Sequence, residues 1–158
     1  MKLVKTNRSI ITYILLSILT FGIYGLFFIH SLADDVNTMC RDDGKTTSGL
    51  LVLLLLSVLT CGIYSIIWWY GVSERVGRAG QRRGLKQVDI TGGTFLLWYL
   101  VGILVCQILI FVGFYKLFDA CNSVGNEYNT CVRSGIDPFV PAGAYTYYQQ
   151  PPMNGQWQ

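Results

Sequence analysis

Three stretches of this chain carry no lysine, arginine, aspartate or glutamate over more than twenty residues each. They are 10–32 (IITYILLSILTFGIYGLFFIHSL), 49–72 (GLLVLLLLSVLTCGIYSIIWWYGV) and 95–115 (FLLWYLVGILVCQILIFVGFY). A bilayer core of about 30 Å needs about 20 helical residues at about 1.5 Å each. Each run is long enough, so the expected fold is all-α: an integral membrane helical bundle with three transmembrane helices. Composition agrees, with 52% hydrophobic and 13% charged residues where globular chains carry about 25% charge. Lys2, Lys5 and Arg8 before the first run resemble a secretory n-region. The run outlasts a normal h-region, however, and no A-x-A-like site follows, so it reads as a span and not a cleaved leader.

The first two runs share a decapeptide. LLSILTFGIY (15–24) and LLSVLTCGIY (55–64) agree at eight of ten positions, at an offset of 40. The pairing continues through Phe28/Trp68, Leu32/Val72, Asp34/Glu74 and Val36/Val76. The repeated unit is therefore a span plus a protruding amphipathic segment. The third run echoes it more loosely, Leu117-Phe118-Asp119 standing beside Leu32-Ala33-Asp34.

Basic residues between the spans number 3, 2, 5 and 2 in chain order. By the positive-inside rule this places the N-terminus in the cytoplasm and the C-terminus outside, in a multi-pass cell-membrane protein. The five in the second connection, Arg75, Arg78, Arg82, Arg83 and Lys86, are expected to meet anionic lipid headgroups. Trp68-Trp69-Tyr70 and Trp98-Tyr99 fall at the same interface, where an apolar ring with a polar tip is favoured. The domain plan is a basic cytoplasmic start at 1–8, a three-span domain at 9–134 and a Pro/Tyr/Gln-rich disordered tail at 135–158, with Gln149–Met153 as a candidate docking segment.

Placed on helices, the non-aliphatic letters line up. Ser17, Thr20, Gly22 and Tyr24 match Ser57, Thr60, Gly62 and Tyr64, and Gly102, Cys106 and Gly113 make a comparable stripe in the third run. In lipid, small residues and hydroxyls mark helix contact faces, so these stripes read as packing seams. Thr20 and Thr60 can also bond a preceding carbonyl, and Gly22 and Gly62 weaken the helix, so a bend is expected at each T-x-G. Whether one run folds back there stays open.

At these residues the chain resembles a known family. Arg8-Ser9, an apolar run into Thr20-Phe21-Gly22-Ile23-Tyr24, an aromatic patch and an acidic amphipathic end are similar to the bacterial membrane domain of unknown function 4234. The likeness covers about residues 7–130. It implies a small bacterial membrane protein, and no activity that could be carried over.

Recognisable chemistry is sparse. His30 is the only histidine, with Asp34 as its single nearby acid, and reads as an interfacial anchor. No Ser-His-Asp or Cys-His arrangement can be assembled, and neither a cofactor nor a nucleic-acid partner is expected. Cys121 and Cys131 leave a disulfide open. The expected function is a non-catalytic membrane module that associates with itself or another membrane protein through its seams. The alternative is a small channel or transporter with Tyr24, Tyr64 and Gln107 along a polar pathway.

Overall fold

A computed structural model of the chain describes residues 2–140, and the proposed docking segment at Gln149–Met153 lies outside them. The described part is helical: α1 (Ile10–Leu19), α2 (Ile23–Met39), α3 (Leu50–Leu59), α4 (Ile63–Arg82), α5 (Gly92–Leu104) and α6 (Ile108–Arg133), with a single 3₁₀ turn at Arg41–Asp43. Six helices thus stand where three were expected. Each apolar run is broken near its middle, and its two halves fold back on one another.

The break in the first run is built by its own letters. Gly22 N–H reaches Ser17 C=O at 2.7 Å and Phe21 N–H reaches Ile18 C=O at 3.2 Å. This is the Schellman pattern that ends a helix. Phe21 (φ 51°) and Gly22 (φ 88°) then occupy the left-handed region in succession, which reverses the chain where a single kink would only have tilted it. Thr20 ties the two halves together: its hydroxyl donates to Leu16 C=O at 2.6 Å and accepts from Tyr24 N–H at 2.9 Å. The second run repeats this with Cys61 (φ 50°), Gly62 (φ 89°) and Thr60, whose bonds to Leu56 C=O and Tyr64 N–H are 2.7 and 2.9 Å.

Antiparallel contact between the arms follows. The Tyr13 and Phe28 rings meet at 4.7 Å, tilted by 53°, and a Cβ on Gly25 would touch Ser17 Oγ at 3.6 Å. In the third run, which has no T-x-G, α5 and α6 meet so closely at Gly102 that a Cβ there would lie 2.4 Å from Ile110 Cγ1. Gly113 rests on Trp98 and Phe95. The arms α1 and α3 are ten residues each, about 15 Å at 1.5 Å per residue. Among the described residues, by length and composition, only α6 is long and apolar enough to cross a membrane.

The long second arms α2, α4 and α6 touch one another pairwise and carry the core in layers. Leu32, Val72 and Leu117 are fully buried; so are Val36, Val76 and Cys121, and Met39, Ala79 and Val124. Successive members of each layer differ by 40 and then 45 residues, so the third hairpin is a structural counterpart of the first two.

The same register recurs in how the hairpins join. Asn37 of α2 clamps the backbone of Thr47, ahead of α3, with bonds of 2.6 and 2.9 Å. Asn122 of α6 clamps Arg8, ahead of α1, at 2.8 Å in both directions. At the corresponding place in α4 stands Gly77, directly against Ile90, ahead of α5. Each long helix therefore holds the segment leading into the next hairpin, and α6 closes the ring onto the first.

Candidate functional site

All the connections gather at one end of the molecule, and the three turns at the other. The connecting end is polar and tightly bonded. Arg75 is buried and donates to both oxygens of Asp43 (2.6 and 3.1 Å), to Asn37 Oδ1 and Thr47 Oγ1 (2.7 Å each), and to the carbonyls of Lys45 (2.7 Å) and Cys40 (3.3 Å). Arg83, also buried, bonds Met39 C=O and Val124 C=O, pairs with Glu127 at 3.3 Å and lies over the Tyr128 ring. Arg8 pairs with Asp35, both buried. Asn129 clamps Val4 at 2.8 and 2.9 Å, and Gly125 between the two clamping asparagines lets the chain pass, a Cβ there meeting Val4 and Thr6 at 3.1 and 3.2 Å.

These contacts correct two expectations. Of the five basic residues assigned to headgroups, Arg75 and Arg83 are interior struts, because each has carbonyls and a carboxylate to satisfy its fork of donors. Arg78 pairs with Glu74 one turn away and Arg82 with Asp42, both on the surface, and Lys86 is exposed. Segments expected on opposite sides of a membrane are also in direct contact here: Asp42 and Asp43 with Arg82 and Arg75, Val4 and Arg8 with Asn129 and Asn122. Two charged groups at 2.6 Å leave no room for a bilayer between them.

The turn end is apolar and exposed. Phe21 is 99% exposed and Leu104 82%, with Leu19, Val58, Val105 and Ile108 beside them. No lysine, arginine, aspartate or glutamate falls within 9–33, 46–73 or 90–115, so this end carries no charge, and its exposed polar side chains are few, Gln107 at the third turn and Thr60 at the second among them. Between the two ends lies an aromatic layer running through all three hairpins. Phe28 meets Phe118 at 4.9 Å, Phe114 meets Trp69 at 4.9 Å and Phe95 at 5.2 Å, and Trp68 Nε1 donates to Ser48 C=O at 2.9 Å.

The seam residues have turn and intra-hairpin roles. Thr20, Gly22, Thr60 and Gly62 build the reversals; Ser17, Gly102 and Gly113 sit between the arms of their own hairpin. The Ser17 and Ser57 hydroxyls are buried without a partner. Cys106 and Gln107 are exposed at the third turn. Tyr24 and Tyr64 line two separate cavities, so Tyr24, Tyr64 and Gln107 are not brought together. His30 is exposed, and Asp34 pairs instead with Lys2. Cys121 and Cys131 stand ten residues apart on α6, about 15 Å by helical rise, beyond the roughly 7 Å a disulfide spans. Burial pushes the Cys40 and Cys121 thiols up to about 12.

Of the residues that hold the polar end, Asn37, Asn122 and Asn129 have no part in the sequence reading, and Arg8 stands there only in the basic start and the family likeness. A signal existed for two of them: asparagines seven apart on one helix, with glycine between, can grip an extended segment over two turns.

The cavities beside Tyr24 and Tyr64 correspond through the repeat. The first, about 270 Å³, is lined by Lys5, Arg8, Tyr24, Phe28 and Ser31 among others; the second, about 250 Å³, by Lys45, Ser48, Tyr64, Trp68 and Gly71. Every pair named is 40 residues apart.

No curated protein and no solved structure matches the chain. A family of domains of unknown function matches it twice, over residues 8–78 and 48–123. The first match covers the first and second hairpins, and the second match the second and third, so the middle hairpin serves in both. The chain belongs to the family described as Domain of unknown function (DUF4234).

Proposed function

We propose that this protein is a non-catalytic membrane module that inserts three helical hairpins into a single leaflet and holds its polar bundle at the membrane surface. The observation that carries the reading is the exposed, charge-free turn end, backed by an aromatic layer and then by a base joined through buried ion pairs. Arms of about 15 Å reach half of a 30 Å hydrocarbon core. Within each arm the backbone groups bond along the helix, which is what burial in lipid requires. The reading replaces three single crossings, for which the connections would have to part across the bilayer. The seam residues are consumed inside the hairpins, so a partner is met through the exposed arm faces or the polar base. The buried charged groups at that base are each engaged in joining helices, which favours a structural role over a catalytic one. A conducting pathway finds less support, since Tyr24, Tyr64 and Gln107 face different surroundings.

Two single cysteine variants, Thr46→Cys in the first connection and Gln87→Cys in the second, test it in sealed, oriented vesicles with a membrane-impermeant maleimide. Both positions are exposed, and Cys40 and Cys121 are buried and can stay. Labelling of both from the same side is the expected result. Labelling from opposite sides would restore three crossings and end the one-leaflet reading.

A further inference from the structure

The two repeat-related cavities share a plan and differ in how much of it is already satisfied. In the second, Tyr64 Oη is held by Ser48 Oγ at 2.9 Å. Glu74 lines the wall, and Arg75 is fully engaged with Asp43 and its neighbours. In the first, Arg8 replaces Ser48 and is spent on Asp35 and Lys5 C=O. Asp34, the counterpart of Glu74, is paired with Lys2, and neither it nor Asp35 is part of the cavity lining. Among the described residues the Lys5 ammonium makes no ion pair, and the hydroxyls of Ser9, Thr12, Tyr24 and Ser31 donate to no side chain or carbonyl. One unpaired cation and four hydroxyls thus line a cavity of about 270 Å³, just below the range of ligand pockets, which start at about 300 Å³. The volume suits a headgroup more than a whole small molecule. Phe27, 70% exposed, forms one wall and leads directly onto the apolar arms.

We propose that the cavity framed by Lys5, Thr12, Tyr24 and Ser31 binds a phosphate group, and that its source is the phosphodiester of an anionic phospholipid. The ammonium supplies the charge, the hydroxyls supply neutral donors to the remaining oxygens, and Phe27 and the α1–α2 arms accompany the acyl chains. The second cavity keeps a lysine, Lys45, but with Tyr64 already bonded and Glu74 in its wall it offers the same anion fewer free donors. The assignment to a lipid source rests on the one-leaflet reading; phosphate binding itself does not.

The test is made on the full chain in a neutral detergent, where no membrane orientation is needed. Dihexanoyl phosphatidylglycerol, dihexanoyl phosphatidylcholine and inorganic phosphate are each titrated by calorimetry against wild type, Lys5→Gln, Lys5→Arg, Lys45→Gln and Lys86→Gln. Phosphatidylglycerol is expected to bind most tightly, and Lys5→Gln to weaken it about fivefold, the effect of about one basic residue near a headgroup. Lys5→Arg should retain binding, and Lys45→Gln and Lys86→Gln should leave it within twofold. Inorganic phosphate binding as tightly as the lipid, with the same Lys5 dependence, would uphold the phosphate site and overturn the lipid source. Equal affinity in Lys5→Gln and wild type, with Lys5→Gln melting as wild type does, overturns the site. Opposite-side labelling of positions 46 and 87 would instead remove the one-leaflet reading while leaving these titrations interpretable.

Discussion

Arg75 grips Asp43 through two nitrogens, at 2.6 and 3.1 Å, and so joins α4 to the connection between the first two hairpins. The two side chains are 7% and 10% exposed, so neither charge has much water to fall back on. Arg75→Met would leave Asp43 and four further oxygen acceptors, on Asn37, Thr47, Lys45 and Cys40, without their donor. A loss of about 3–5 kcal/mol is expected, read as a large drop in melting temperature in detergent. Adding Asp43→Leu should recover part of it, and no recovery would mean the pair is not the coupled unit described.

The T-x-G reversal makes a paired prediction. Thr20→Val and Thr60→Val each remove a hydroxyl that donates to one arm and accepts from the other, at a cost of about 1–2 kcal/mol, as for a lost helix cap. Thr→Ser at either place should cost much less. Gly22→Ala and Gly62→Ala place a Cβ at φ near +88°, which costs about 1 kcal/mol or more. Thermal melts of the four threonine variants check the pairing. Equal damage from serine and valine would argue against the hydroxyl bridge.

Close approach, with no call on backbone freedom, explains Gly77. A Cβ there would sit 1.9 Å from Ile90 C=O, a backbone atom that cannot swing aside. Gly77→Ala is expected to cost at least the 1–3 kcal/mol typical of overpacking and to loosen the third hairpin from α4. Protease sensitivity between residues 84 and 91 is the readout.

Thiol chemistry separates the two ends of the molecule. With pKa values pushed to about 12 by burial, Cys40 and Cys121 hold about one thiolate in ten thousand at pH 8. They should resist maleimide until the chain unfolds. Cys61 and Cys106 are exposed at the turns and should react in detergent, then become protected from an impermeant reagent in vesicles. Mass spectrometry of the labelled peptides decides it.

Acid should weaken the polar end. Burial pushes the Asp43 carboxyl up, but the bonds from Arg75 and Lys45 N–H and the charge of Arg75 outweigh it and hold it below its ordinary 3.8. Glu74 is lowered from 4.5 chiefly by the bond from Gly92 N–H. A depressed native value means the unfolded chain binds protons first. The stabilisation is therefore complete above the ordinary values and is lost as pH falls through the native ones. Melting temperature should fall below about pH 4, and less steeply in Asp43→Asn than in wild type, whatever its starting value.

Much of this was legible in the letters. The charge-free runs, the offset of 40 and the Thr-x-Gly interruption can all be read directly, because helix formation, apolarity and Schellman chemistry are local properties of a few adjacent residues. Those letters fixed helices, a repeated unit and a weak point at Thr20-Phe21-Gly22 and Thr60-Cys61-Gly62. Twenty apolar residues, however, fit one helix through a bilayer or two helices through half of it equally well, and a hydropathy count returns the same number for both. The choice lay in two successive left-handed dihedrals, one of them on Phe21 or Cys61, residue types that rarely adopt them. Once the runs folded back, the connections met at one end. There Arg75 and Arg83, which by sequence belong to a basic connection facing lipid headgroups, found Asp43, Glu127 and open carbonyls instead. Only the tertiary structure decided that, because a charge becomes a strut when distant segments bring it partners, and distance along the chain carries no record of which segments those are.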